Sequence, residues 1–187
     1  QLGNIVTSSL DILEAADETL NKLQAQFNET VHLSTLQGTD IIYLDKRTST
    51  RPLQLYTAIG SRVPAHTTST GKIMLAYLGE DYIRDNFPKS LKKITNRTIT
   101  DINDLVEVSK KAKEVGYTTD IEENLEGLSC IGVPIFDYTN NVRYAISVAG
   151  PSSRIQNLLT EENINFIKQC GFEISACLGY AGAFRRN

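Results

Sequence analysis

The chain has 187 residues, 41% hydrophobic and 22% charged, which is the balance of an ordinary globular domain with room for a sizeable core and excludes a disordered or fibrous protein. Its formal net charge of −3 opposes a grip on phosphate backbones, because non-specific DNA affinity comes mainly from Lys and Arg. No apolar run reaches membrane-spanning length and no signal segment opens the sequence, while Cys130, Cys170 and Cys177 form no CxxC pair, so a cytoplasmic protein with reduced thiols is expected.

In chain order, Leu2, Val6, Ser9, Leu13, Ala16, Leu20, Leu23 and Phe27 recur every three or four residues, with Ile5, Leu10 and Ile12 widening the stripe. This spacing predicts one long amphipathic helix over residues 2–27, which either packs on its own domain or pairs with a partner. The period then changes. Thr30 to Thr35 and Ile41 to Asp45 read as a hairpin around Gln37-Gly38-Thr39-Asp40, and Leu53 to Thr57 as a third strand. Ile59 to Pro64 reads as a loop. Thr67-Thr68-Ser69-Thr70 introduces a helix from Gly71 to Leu78, followed by a short helix from Glu80 to Asn86. Beyond the basic connection Lys89 to Asn96, Thr100 is expected to cap a helix to about Val115, with Gly116 as its C-terminal glycine. Strands follow at Tyr117 to Ile121, Leu128 to Asp137 and Val142 to Ala149, the last two joined as a hairpin. Gly150-Pro151 is expected to stop the sheet, and Thr160 to open a final helix to about Ala181. About six strands, mostly in hairpins, with helices between them and at both ends, predict an α+β fold built on a mostly antiparallel sheet. Residues 1–28 form the first helix, or linker, and residues 29–187 the domain proper.

Several residues carry possible chemistry. Gly71-Lys72 suggests a phosphate loop, but His66 and Ile73 stand where such a loop needs glycine and Ser/Thr, so nucleotide binding is rejected. What survives is a helix N-terminus rich in hydroxyls, with unpaired N–H groups that suit an anion; the plainer alternative is a single capping hydroxyl. Asp120, Glu122, Glu123 and Glu126 leave a strand as either a solvated loop or an acid/base or metal group, and alternation puts Asp120 and Glu122 on one face and Glu123 on the other. Cys130 with His66 and Asp120 has the composition of a thiol hydrolase, but Cys130 lies in the apolar run Ser129-Cys130-Ile131-Gly132-Val133, where a structural cysteine is the ordinary expectation. His32 and His66 are too few for a His-rich metal centre, and no cofactor or metal is expected.

Three segments together go further. The run from Gly116 to Asp137, with Asp120, Glu123, Cys130, Gly132 and Ile135 in place, resembles the signature of the IclR family of bacterial transcription regulators. The run Ile59 to Lys72, followed by Leu75-Ala76, is similar to a second hallmark of that family, and Ile146-Ser147-Val148-Ala149-Gly150-Pro151 to Arg154-Ile155 to a third. The resemblance covers essentially the whole chain. It implies a GAF-like or profilin-like effector-binding domain, a homodimer or homotetramer, and a small organic acid as ligand. It further implies a repressor or activator that meets DNA through an N-terminal winged helix-turn-helix, which is not among these residues. On this reading the chain is not an enzyme; a thiol or carboxylate hydrolase using Cys130 or Asp120 is the alternative. The family pocket maps an anion end onto Ser69, Thr70 and Gly71, polar contacts onto Asp120, Cys130 and Ser147, and apolar walls onto Leu55, Val63 and Leu128. Ala149 stands where relatives that sense 2-oxo acids can carry a second serine.

Overall fold

The computed structural model describes residues 2–52 and 57–183, with side chains from residue 11 onward. Helix α1 (Leu2–Phe27) leads into a hairpin of β1 (Thr30–Gln37) and β2 (Asp40–Arg47), each strand longer than the sequence suggested. The expected strand at Leu53 to Thr57 lies largely outside the described residues, and Thr57 itself is not in a strand. Instead β3 (Arg62–Pro64) forms where a loop was expected, pairing antiparallel with β2 through Ile41↔Val63. A 3-10 turn (Ala65–Thr67) then delivers α2 (Ser69–Leu78), followed by α3 (Glu80–Asn86) and α4 (Ile102–Val115). Asp101, not Thr100, caps α4, its side chain accepting the N–H of Asn103 at 2.7 Å. Gly116 ends that helix at φ 76°, the left-handed conformation that glycine adopts without strain.

Strands β4 (Thr118–Ile121), β5 (Leu128–Phe136) and β6 (Val142–Pro151) complete the sheet, with Pro151 ending β6 two residues later than expected. A one-turn helix α5 (Ser152–Asn157), which no periodicity announced, precedes α6 (Glu161–Cys177). Thr160 caps α6 as anticipated, but the helix stops at Cys177 because the chain turns at Gly179, φ 84°.

The architecture is therefore a six-stranded antiparallel sheet, ordered β3-β2-β1-β6-β5-β4, with helices on both faces. The period-2 alternation of its strands gives the two faces different chemistry. Val31, Leu33, Ile131, Val133, Ile135, Ile146 and Val148 form one face and bury against α1 and α6. Ile12, Ala16, Leu20 and Leu23 of α1 are fully buried in this cluster, so this part of the stripe is consumed within the domain itself. The opposite face carries small and polar groups, among them His32, Cys130, Gly132, Ala145 and Ser147, and receives α2.

Helix α2 is buried from Ser69 to Ala76, between the sheet and α4. Two glycines set its position. A Cβ at Gly132 would stand 2.9 Å from the Ser69 carbonyl carbon and hydroxyl, and one at Gly71 would stand 2.2 Å from the Ala65 carbonyl oxygen. The segment leaving β2 is tied to α1: Asn28 Oδ1 accepts the Thr50 N–H at 2.9 Å, and Arg47 reaches Asn21 and Asp17 at 2.6 and 2.5 Å.

Candidate functional site

Between the α2 N-terminus and the polar sheet face lies a cavity of about 330 Å³. Strand β2 contributes Tyr43, the following segment Thr57, Ala58 and Ser61, and β3 Val63. The start of α2 contributes Thr68, Ser69 and Thr70. Asp120 of β4 and Cys130 of β5 are directly paired across the sheet, and Ser147 projects from β6. Asn124, Leu125 and Leu128 close the remaining side. Two wider clefts, of about 440 and 540 Å³, lie between α1 and the β5–β6 hairpin and between α4 and α6, but neither combines a helix N-terminus with a buried carboxylate.

The helix start is specifically built. Thr68 is the cap, its Oγ1 accepting the Gly71 N–H at 3.0 Å. Thr67 donates to the Pro64 carbonyl, so the hydroxyls are not a solvated run. The Lys72 N–H bonds the Thr68 carbonyl at 3.0 Å. The N–H groups of Ser69 and Thr70 have no partner among the described residues, and both residues line the cavity. Two free donors at the positive end of a helix make an anion site in miniature.

Beside it stands an acidic and thiol wall. Asp120 is 2% exposed, and its Oδ1 accepts the Glu123 N–H at 2.7 Å. Burial pushes its carboxyl up to about 7, against the lowering influence of the Glu123 and Asn124 N–H groups and the Lys72 ammonium. Strict alternation fails one residue beyond β4. Glu122 takes φ 59°, which turns Glu123 back towards Lys72 rather than away from Asp120's side. Lys72 Nζ donates to both Glu123 carboxylate oxygens at 2.6 Å. The lysine that suggested a phosphate loop is thus a buried structural cation, and the acidic stretch is not a solvated loop at Asp120 or Glu123.

Cys130 is half-buried and lines the cavity; burial, then the neighbouring Asp120, holds its thiol well above the ordinary range. It is a neutral thiol rather than a thiolate nucleophile. His66, the proposed third member of a hydrolase trio, is elsewhere: its Nε2–H donates to the Lys92 carbonyl at 2.9 Å and its ring meets the edge of Phe87. The histidine near the cavity is His32, hydrogen-bonded to the Thr57 hydroxyl at 2.7 Å, packed with its ring tilted against Tyr43, and pushed by burial down to about 3, so it is neutral. Among the described residues no group of three or more His, Cys, Asp or Glu is arranged to hold a metal.

Of the residues anticipated from sequence, Val63, Ser69, Thr70, Asp120, Leu128, Cys130 and Ser147 meet in this one cavity. Gly71 does not line it; its N–H is taken by the Thr68 cap and its bare Cα fits the Ala65 carbonyl. Leu55 lies outside the described residues. Tyr43, Ser61, Asn124 and the Lys72–Glu123 pair were not anticipated. Only the alternation of β2, which sets Ile41 and Tyr43 on one face, offered a signal for any of them.

The family model for the bacterial transcriptional regulator IclR C-terminal domain matches residues 4–176. The chain belongs to the IclR family. The HTH-type transcriptional regulator KdgR of Escherichia coli K12 is 33% identical over 181 residues, 96% of this chain and 69% of that relative. KdgR of Dickeya chrysanthemi is 31% identical, and there the chain spans 59% of the relative's length. The crystal structure of the C-terminal domain of E. coli KdgR superimposes with a TM-score of 0.80 at 33% identity, covering 91% of this chain and 99% of that one. These IclR-type relatives are transcription regulators, and among the described residues no helix is long and apolar enough to cross a membrane.

Proposed function

We propose that this IclR-type domain senses a small organic acid, whose carboxylate sits on the Ser69 and Thr70 N–H groups at the start of α2, and that occupancy modulates DNA binding by the regulator to which the domain belongs. The pair of unpartnered N–H groups, lining the same cavity as Asp120, Cys130 and Ser147, carries this reading. A cavity of about 330 Å³ suits a ligand of a few carbons to a small ring. The sensor reading is favoured over a hydrolase because the Cys130 thiol is held neutral and His66 is bonded elsewhere. Ala149 is buried opposite Cys130 and outside the cavity lining, so no second serine strengthens a 2-oxo-acid site there. Homodimer or homotetramer formation belongs to the same proposal. It rests on family membership, since Ile12 to Phe27 of α1 already face the domain's own core. A strictly monomeric mass by light scattering counts against it.

A thermal-shift screen of carboxylic acids, each paired with its amide or methyl ester, tests the site. At about 100 times the dissociation constant an acid stabilises the domain by roughly 2.7 kcal/mol, a melting rise of roughly 5–10 °C. Thr70→Asp places a fixed negative charge at the anion position and abolishes the response. Uncharged analogues that stabilise as well as their acids, or an undiminished response of Thr70→Asp, refute the anion pocket.

A further inference from the structure

We infer that the acid enters this cavity together with one proton, which Asp120 holds. The inference rests on the anion-site reading above and adds its regulation. Asp120 and the α2 N-terminus wall the same small cavity, so a bound carboxylate and an ionised Asp120 would be two anions in one desolvated space.

Among the described residues, no group facing Asp120 is left to neutralise a second charge. From α2, the Lys72 ammonium is engaged by both oxygens of Glu123. Glu123, from the turn after β4, adds a like charge of its own. From β5 the Cys130 thiol and from β2 the Tyr43 hydroxyl are both held neutral by burial. From β1 the neutral His32 is turned to the Thr57 hydroxyl, and Lys46 Nζ donates to the Thr57 carbonyl at 2.5 Å. Asp120 itself receives backbone N–H groups and, among the described residues, forms no ion pair. One proton taken from solvent as the acid binds leaves a single net charge to be shared by the helix start. It also turns Asp120 from an acceptor into a donor towards an oxygen of the ligand. No covalent bond forms or breaks.

The consequence is an effector response that weakens as pH rises. With the free Asp120 carboxyl near 7, affinity falls towards tenfold per pH unit above neutrality, and roughly thirtyfold between pH 6.0 and 8.5. A dicarboxylate, bringing a second charge, is disfavoured at every pH.

The test is isothermal titration calorimetry of the 187-residue chain with monocarboxylates from acetate and pyruvate to 4-hydroxybenzoate. Each is run at pH 6.0, 7.0 and 8.5, in two buffers of different ionisation enthalpy so that protons are counted. The expected result is uptake approaching one proton per acid bound at pH 8.5, with the roughly thirtyfold loss of affinity. Asp120→Asn should take up no proton, and its affinity, whatever its level, should not vary with pH. A carboxyl 13C signal lost in Asp120→Asn should titrate near neutrality in the free protein. Acids that bind equally at pH 6.0 and 8.5 without proton uptake overturn this inference and leave the anion site standing. Failure of every acid to bind at pH 6.0 overturns both.

Discussion

Replacing Lys72 by Met tests the charged base of the cavity. The Lys72 side chain is 2% exposed and Glu123 12%, with Nζ 2.6 Å from each carboxylate oxygen. Met keeps most of the volume and removes the charge, so the packing of α2 against the sheet is little changed while Glu123 loses the ammonium it is paired with. Breaking one side of a buried pair costs about 3–5 kcal/mol, chiefly because the surviving charge is left desolvated. Glu123 keeps a little water contact, which favours the lower end, about 3 kcal/mol. For a domain of this size each kcal/mol moves the midpoint by about 2–4 °C, so a fall of about 6–12 °C is expected. Urea unfolding with an unchanged m-value gives the free energy directly. Removing both charges together, Lys72→Met with Glu123→Leu, should recover most of the loss. A Lys72→Met midpoint within about 2 °C of wild type refutes the claim that the pair is buried and mutually dependent.

Gly71→Ala should destabilise by about 1–3 kcal/mol or more, because its Cβ would meet the Ala65 carbonyl oxygen at 2.2 Å and both sides of that contact are backbone; a neutral melt would disprove the close approach. At pH 7.5 an aromatic disulfide reagent should modify Cys177, which is exposed, well before Cys130 or Cys170, the latter pushed by burial up to about 11; two fast thiols would contradict this. Asp120→Asn should stabilise the ligand-free protein more at pH 8 than at pH 4. The folded carboxyl keeps its proton to about 7 while the unfolded one loses it near 3.8, so the wild type forfeits stability across that window, at most about 4 kcal/mol; equal gains at both pH values would show that Asp120 is not perturbed.

The elements that the sequence made legible are those whose signals are local. The β1–β2 and β5–β6 hairpins announce themselves by alternation around polar turns. Gly116 and Thr160 mark helix ends by conformation and by a capping hydroxyl, each within a few residues of the element it bounds. What stayed hidden depends on partners far along the chain. Lys72 and Glu123 are 51 residues apart, and nothing next to either says that the lysine is inside. The left-handed turn at Glu122 reverses the alternation that had set Glu123 on the far face, and a non-glycine residue gives no warning of a positive φ. His66 could not be placed because its partner, the Lys92 carbonyl, is backbone, which every residue offers alike. Strand β3 has only three residues, too few for a period to show, and exists because β2 offers it an edge.

The location of the cavity follows from the composition of one strand. Along β5, Ile131, Val133 and Ile135 point into the core formed with α1 and α6, where branched side chains fill space. The residues alternating with them are Cys130, Gly132 and Pro134, whose side chains occupy little depth. At Gly132 the missing side chain lets the α2 backbone approach so closely that a single Cβ would collide with Ser69. Two residues back along β5, Cys130 faces Asp120 of β4, and there the helix has not yet begun, so the space is not filled by another turn. The cavity is thus the gap left where a helix begins over a sheet face of small residues. The helix must begin there because Gly71 and Thr68 fix its first turn against Ala65. Its unpaired N–H groups and a buried carboxylate then meet in the same space as a matter of packing. Enlarging Gly132 should close the cavity from the sheet side and move the helix start at once, whereas enlarging Ser147, one strand further in, should reduce its volume while leaving the α2 contact with β5 in place.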